Sequence, residues 1–200
     1  MRKAVTHLKK ADPVLAKIIR SVGPYAMEYR PPVFDSLVRS IVFQQVSGSV
    51  ARVIYGRLND ALGQNVTPSA VLALTPEQMR KCGLSAAKVK YIRDLAEHSF
   101  DGRLDFSLLP EATDDEVIVA LTKVKGIGVW TAQMFLMFAL ERPDVLPTGD
   151  LGIRKAMQLA YGLDELPKPP EMHEIAAPWK PYCSVASWYL WRSLDGIATL

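Results

Sequence analysis

The stretch VKGIGVWTAQMFLMFALERPDVLPTGDLGIRKAM, Val124 to Met157, decides how the chain is read. Upstream of it, Asp114, or Thr113 with Glu116, starts a helix whose apolar positions Val117, Ala120, Leu121 and Val124 fall on one face. Downstream, a second helix begins at about Val129. The four residues between them, Lys125-Gly126-Ile127-Gly128, are too few for anything but a tight helical hairpin. Two glycines there remove the Cβ atoms that would obstruct a positive φ or the close approach of an outside group. The amides opening the second helix, with the positive end of its dipole behind them, make an anion site suited to phosphate. Ile127 is expected to plug into the core. An ordinary glycine C-cap between packed helices would explain the same glycines. Asp150 then stands at the start of a further helix from Leu151, either as a favoured N-cap or as a carboxylate placed for chemistry, and the two roles can coexist.

Working outward, the rest of the chain also reads as helix. Asp12-Pro13 is an N-cap with proline at the first helical position, and Leu15, Ile18, Ile19 and Val22 form one apolar face before Gly23. Phe34, Leu37, Val38, Ile41 and Val42 repeat the pattern, ending near Gln44-Gln45. After Ser47-Gly48 a long amphipathic helix places Val50, Val53, Ile54, Arg57, Leu58, Ala61 and Leu62 at helical spacing, until Gly63. Thr75-Pro76-Glu77-Gln78 is a capping box, and Gly83 and Ser85 separate its short helix from one spanning roughly Ala86 to His98. The segment from Leu166 to Pro181 reads as a loop or short turns before a final helix containing Ser187 to Leu194. No stretch alternates with the two-residue period of a strand, so the fold class is all-α.

Composition bounds the function. A chain of 200 residues, 49% hydrophobic and 22% charged, can bury a real core, and it has no apolar run near the roughly 20 residues a membrane span needs. The opening MRKAVTHLKK has basic residues but no apolar region after them, so it does not read as a signal peptide and a cytoplasmic location is the default. Cys82 and Cys183 are far apart and outside any CxxC spacing, which excludes a zinc or iron–sulfur site built from cysteine. A net charge of +3 permits an acidic partner without demanding one.

The blocks FDSLVRSIVFQQVS, GIGVWTA, PDVLPTGDLGIRK and WKPYCSVASWYLWR, in this order between about Phe34 and Trp191, resemble the HhH-GPD superfamily of DNA glycosylases, and within it the alkylation-repair enzymes of the 3-methyladenine DNA glycosylase II type. The resemblance implies a two-lobed helical fold without the N-terminal β domain that some members carry. One lobe would combine residues 1–33 and 144–200. The other would span 34–143 and contain the helix-hairpin-helix at about 114–141, with the hairpin and Asp150 beside the cleft between them. It implies hydrolysis of the N-glycosidic bond of alkylated purines, 3-methyladenine and 7-methylguanine among them, in double-stranded DNA after base flipping, by a monomer, in a nucleoid or a nucleus.

Cleavage of that bond passes through a sugar cation, which a fixed carboxylate beside C1′ stabilises while orienting or deprotonating a water. The match to LPTGD assigns this role to Asp150. Superfamily members that also cut the backbone carry a lysine near the start of the hairpin's second helix; Trp130 stands there, and an indole cannot form a Schiff base, so no lyase activity is expected. Trp130 and Trp191 correspond to the family's pocket aromatics, with Trp188 and Met134 nearby, suited to stacking on a cationic purine. Gln44 or Gln45, with Gln44 preferred, would fill the gap left by the flipped nucleotide. Lys125, Gly126, Ile127, Gly128, Thr131, Arg154 and Lys155 are candidates for holding the DNA backbone. Hairpin carbonyls resemble those that hold a monovalent Na+ or K+ in this motif; no side-chain metal site and no other cofactor is expected. Lys88, Lys90 and Arg93 form a further basic cluster. A non-catalytic sensor of damaged or bent DNA, or a glycosylase for deaminated or mismatched bases, would share the phosphate contacts, but only the enzyme needs Asp150 and an aromatic pocket.

Overall fold

Every regular element is helical among residues 1–195, which the computed structural model describes; the last five residues of the expected 144–200 segment lie outside them. In chain order the helices are α1 (Arg2–Ala11), α2 (Pro13–Val22), α3 (Phe34–Phe43), α4 (Gly48–Ala61), α5 (Pro68–Ala73) and α6 (Pro76–Lys81). They continue with α7 (Ala86–Phe100), α8 (Asp114–Thr122), α9 (Val129–Phe138), α10 (Leu151–Tyr161), α11 (Pro169–Ala176) and α12 (Cys183–Asp195). The chain divides into two compact units. One joins Met1–Tyr29 to the segment from Glu141 onward, and the other is Arg30–Leu140.

Local chemistry fixes most helix starts. Asp12, Ser47, Thr67, Thr75, Ser85, Thr113 and Asp150 each accept a backbone N–H of the first turn on a side-chain oxygen, satisfying donors that the helix itself leaves orphaned. Thr75 with Gln78, and Thr113 with Glu116, close reciprocal capping boxes.

Within Arg30–Leu140, α7 is the central element, packed by α3, α5 and α6. Leu37, Val38, Ile41 and Val42 of α3 are fully buried, as are Ile92, Leu95 and Ala96 of α7; burying a side chain such as leucine or isoleucine stabilises by about 1.5–3 kcal/mol. The helical hairpin α8–α9 packs against itself, and α9 also meets α3. The buried face of α4 differs from the expected one. Ala51, Ile54 and Leu58 point inward, while Val50 and Val53 are exposed.

In the other unit α12 lies against α2 and α10. At its heart Asp12 caps α2 through Oδ1 and accepts the Tyr161 hydroxyl at 2.5 Å and the Trp179 indole N–H at 2.8 Å on Oδ2. One carboxylate thus ties three elements. One feature departs from the sequence reading: the expected loop at Leu166–Pro181 contains α11, whose two leading prolines suit a helix start, while α1, a helix with only Ala4 and Leu8 buried, occupies a segment the sequence left unassigned.

Candidate active site

The hairpin is built on α7. After α8, the N–H of Ile127 donates to the carbonyl of Val124 at 3.1 Å, and Ile127 is 4% exposed, seated in the core as expected. Gly126 has φ +81, and a Cβ on it would lie 2.2 Å from the Tyr91 ring, so both its conformation and its space require glycine. Gly128 is different. Its φ is −93 and nothing lies within 4 Å of a Cβ built there, leaving the start of α9 open to an incoming group. Trp130 is 44% exposed in that first turn, next to exposed Val129, and Met134 is half-buried one turn on.

Asp94 fastens the turn, a residue the sequence reading did not single out. It is 8% exposed on α7, accepts the backbone N–H of Lys125 on Oδ2 and the Lys125 ammonium on Oδ1, both at 2.9 Å. Burial works to raise its carboxyl, but the two donations from Lys125 and the nearby His98 outweigh it and hold the group below the usual carboxylate range. An acid among the apolar Val89, Ile92, Leu95 and Ala96 was the available signal. Lys125 remains largely exposed, but its charge is paired within the protein.

Gln44 donates from Nε2 to the carbonyl of Gly126 at 3.0 Å and to the hydroxyl of Thr131 at 3.3 Å. The Gln44 side chain thereby stitches α3 to the hairpin. Gln45 follows it with a left-handed φ of 54 and an exposed side chain. Thr131 is buried and its hydroxyl is used by Gln44, so it is not a surface hydroxyl for DNA. In the basic cluster, Lys88 donates to the carbonyls of Val42 and Gln44, both at 2.7 Å, capping the end of α3, and Arg93 donates to the carbonyl of Leu74.

The second set of candidate residues lies in the other unit. The Pro143–Asp150 loop is pinned to the start of α12. The Ser184 hydroxyl accepts the Val145 N–H at 2.9 Å and donates to the Arg142 carbonyl at 2.6 Å, and Asp144 Oδ1 accepts the Cys183 N–H at 3.1 Å. The loop delivers Asp150 to the N-cap of α10, half-buried, where Oδ1 accepts the Ile153 N–H at 2.8 Å and the Trp191 indole N–H at 2.8 Å. Gly152 makes this contact fit: a Cβ there would come within 3.1 Å of Asp150 Oδ1 and of Trp191 Cδ1. The capping role is therefore real, and the cap is also held by an aromatic donor.

Trp188 belongs to the core instead. It is 8% exposed, with its ring centre 4.8 Å from that of Tyr25 and 4.9 Å from that of Tyr189. Arg154 donates from Nε to the Pro167 carbonyl at 3.0 Å, and the Lys155 ammonium donates to Gln158 Oε1 at 2.9 Å. Cys82 and Cys183 are buried free thiols, each pushed up by burial. No group of three or more His, Cys, Asp or Glu among the described residues could hold a metal ion, and no helix among them is long and apolar enough to cross a membrane.

Residues 38–181 match the family described as HhH-GPD superfamily base excision DNA repair protein. A relative from Schizosaccharomyces pombe, DNA-3-methyladenine glycosylase 1, is 32% identical over 96% of this chain and 87% of its own length. Among solved structures, the 3-methyladenine DNA glycosylase of the same yeast in complex with abasic DNA superposes with a TM-score of 0.86 at 32% identity, covering 96% of this chain and 97% of that one. A DNA-3-methyladenine glycosidase from Bacillus halodurans gives 0.87 at 38% identity, covering 98% and 91%.

Proposed function

The chain belongs to the HhH-GPD superfamily of base excision DNA repair proteins, and on that premise we propose that it is a monofunctional DNA glycosylase that hydrolyses the N-glycosidic bond of alkylated purines in double-stranded DNA. The substrate class comes from the named activity of its relatives. The observation that carries the reading in this molecule is the Asp150 carboxylate, half-buried at a helix start and oriented through one oxygen by two N–H donors.

Alkylation at N3 of adenine or N7 of guanine leaves the purine positively charged. When the C1′–N bond breaks, its electron pair leaves with the base, which departs neutral and needs no proton. The sugar is left as an oxocarbenium ion, which the fixed negative charge of Asp150 stabilises. A water then adds to C1′ and gives up a proton, for which Asp150 is the acceptor. Aromatic faces suit a flipped, cationic base, and the candidates for them are Trp191, bonded to Asp150 in one unit, and Trp130, exposed in the first turn of α9 in the other. Gln45 enters the vacated stack, and the amides at the start of α9 with Gly126 and Gly128 take a backbone phosphate. The carbonyls of Val124 and Gly126 each accept one hydrogen bond and keep a second lone pair, so these two residues would hold a hard monovalent cation, which would supply positive charge for a phosphate. No chemical step depends on it.

The test is incubation of the protein with duplexes bearing a single 7-methylguanine, followed by chromatography of released base and gel analysis of the strand. Free 7-methylguanine with an intact strand until alkali is added is the expected result. Release with spontaneous nicking would refute the monofunctional part, and tight binding without release would favour the sensor.

A further inference from the structure

Arg39, on α3, has no ion-pair partner among the described residues. Its guanidinium carbon lies 4.4 Å from the ring centre of Phe43 and 5.1 Å from that of Tyr55. Its Nε is buried with no hydrogen-bond partner among the described residues, and none of them forms an ion pair with it. The natural counter-charge is Asp35, one turn earlier on the same face, but the Tyr55 hydroxyl donates to that carboxylate. More positive charge is adjacent: burial and then Arg30, with a smaller push from Arg52, outweigh the opposing Tyr55 and Asp35 and hold the Arg39 guanidinium below its ordinary value. Arg52 also folds back over the start of α4, where a Cβ on Gly48 would meet its Nη1 at 3.5 Å. Arg39 on α3 and Arg52 at the start of the 14-residue α4 thus lie on the two helices joined by the Gln44–Gly48 turn, Arg30 adds positive charge near Arg39, and the Asp35 carboxylate is engaged by Tyr55.

Holding an arginine partly buried with an orphaned donor costs stability, and stacking on two rings recovers only part of it. What stacking does provide is orientation, since a guanidinium clamped by aromatic faces presents its fork edge in one plane, the geometry that matches an oxyanion.

We propose that Arg39, with Arg52 and Arg30, forms a phosphodiester-binding site that grips the DNA backbone beside the point where Gln45 enters the duplex. The inference rests on the glycosylase reading for its ligand, and deepens it. A side chain that wedges into a base stack forces the strand to kink at that step. Phosphates next to the kink must be held for the distortion to persist, and cationic side chains on α3 and α4, the helices on either side of the Gln45 turn, do so. The hairpin amides hold a different phosphate, at the start of α9.

The experiment measures affinity for an undamaged duplex by fluorescence anisotropy across a range of NaCl concentrations, for the wild type, Arg39→Gln and Arg52→Gln. Each loss of a phosphate contact should reduce the slope of log K against log [NaCl] by about one and weaken damaged and undamaged duplexes by the same factor. Arg52 is exposed, so its variant folds even where Arg39→Gln proves unstable. In a parallel arm, inorganic phosphate replaces chloride at constant ionic strength. The proposal expects no extra competition from it, because a single free phosphate lacks the neighbouring contacts of a strand. Unchanged slopes in both variants would overturn the site as a DNA contact. So would competition by inorganic phosphate that the variants abolish while their DNA slopes stay at the wild-type value. Wild-type protein that binds with a normal salt slope but releases no base would sink the glycosylase reading and leave this site standing.

Discussion

Trp191 donates its indole N–H to Oδ1 of Asp150 at 2.8 Å, joining residues 41 apart in the sequence. With the Ile153 N–H on the same oxygen, the donor pair fixes the plane of the carboxylate before any substrate arrives. Trp191→Phe keeps a smaller aromatic face and removes the donor. A hydrogen bond to a charged group is worth about 1.5–3 kcal/mol, so the single-turnover rate of base release should fall roughly 10- to 100-fold. Duplex affinity, measured alongside by anisotropy, should stay close to that of the wild type.

Gly152 tests the same contact from the other side. Alanine is the better helix former by about 1 kcal/mol, so Gly152→Ala should hold or raise the thermal midpoint. Its Cβ nevertheless crowds both Asp150 and Trp191 at 3.1 Å. The expected signature is a slower enzyme that is no less stable, read by pairing calorimetry with single-turnover kinetics.

Asp94 anchors the hairpin, and magnitudes say which of its two bonds matters. The Lys125 ammonium is 74% exposed as a side chain, so that ion pair contributes little. The bond from the Lys125 backbone N–H to a buried carboxylate carries the effect. Asp94→Ala should destabilise by about 2–3 kcal/mol in urea unfolding and weaken duplex binding, whereas Lys125→Ala should leave stability nearly unchanged.

Acid sensitivity follows from Asp94 and Asp12. Burial acts to raise Asp12, but Trp179, Tyr161 and the N–H groups of Leu15 and Val14 outweigh it and hold the carboxyl below its ordinary value of 3.8. A carboxyl whose folded value is depressed adds stability that is fully present above its unfolded value and is lost as pH falls through the folded one. The thermal midpoint should therefore change little from neutrality down to about pH 5 and fall below about pH 4. Asp12→Asn should lower the neutral midpoint and flatten the acid drop, as followed by circular dichroism.

Local signals carried most of the fold. Capping residues such as Thr113 and Thr75 announce helices through chemistry confined to four residues, and the period of α3 shows which side is buried. Signals failed where burial is decided by distant partners. The helix α1 has two buried residues, too few to give a face, and α11 hides behind prolines that suit both turns and helix starts. In α4 the spacing of Val50 and Val53 is helical, but which side packs depends on the neighbouring elements. At the candidate site the positions of Gly126, Ile127 and Asp150 were legible from spacing and family likeness. Gln44's engagement with Gly126, 82 residues away, and Asp94's with Lys125, 31 away, were not, because no local pattern encodes a contact across the chain.

The most direct measurement compares wild-type protein with Asp150→Asn on a duplex carrying one 7-methylguanine, at enzyme concentrations that saturate the DNA. Asparagine keeps an oxygen for the Ile153 and Trp191 donors but has no charge to set against a sugar cation. Base release should slow by at least about two orders of magnitude, a loss near 3 kcal/mol in transition-state stabilisation, with duplex affinity retained. Release by Asp150→Asn at the wild-type rate would contradict it.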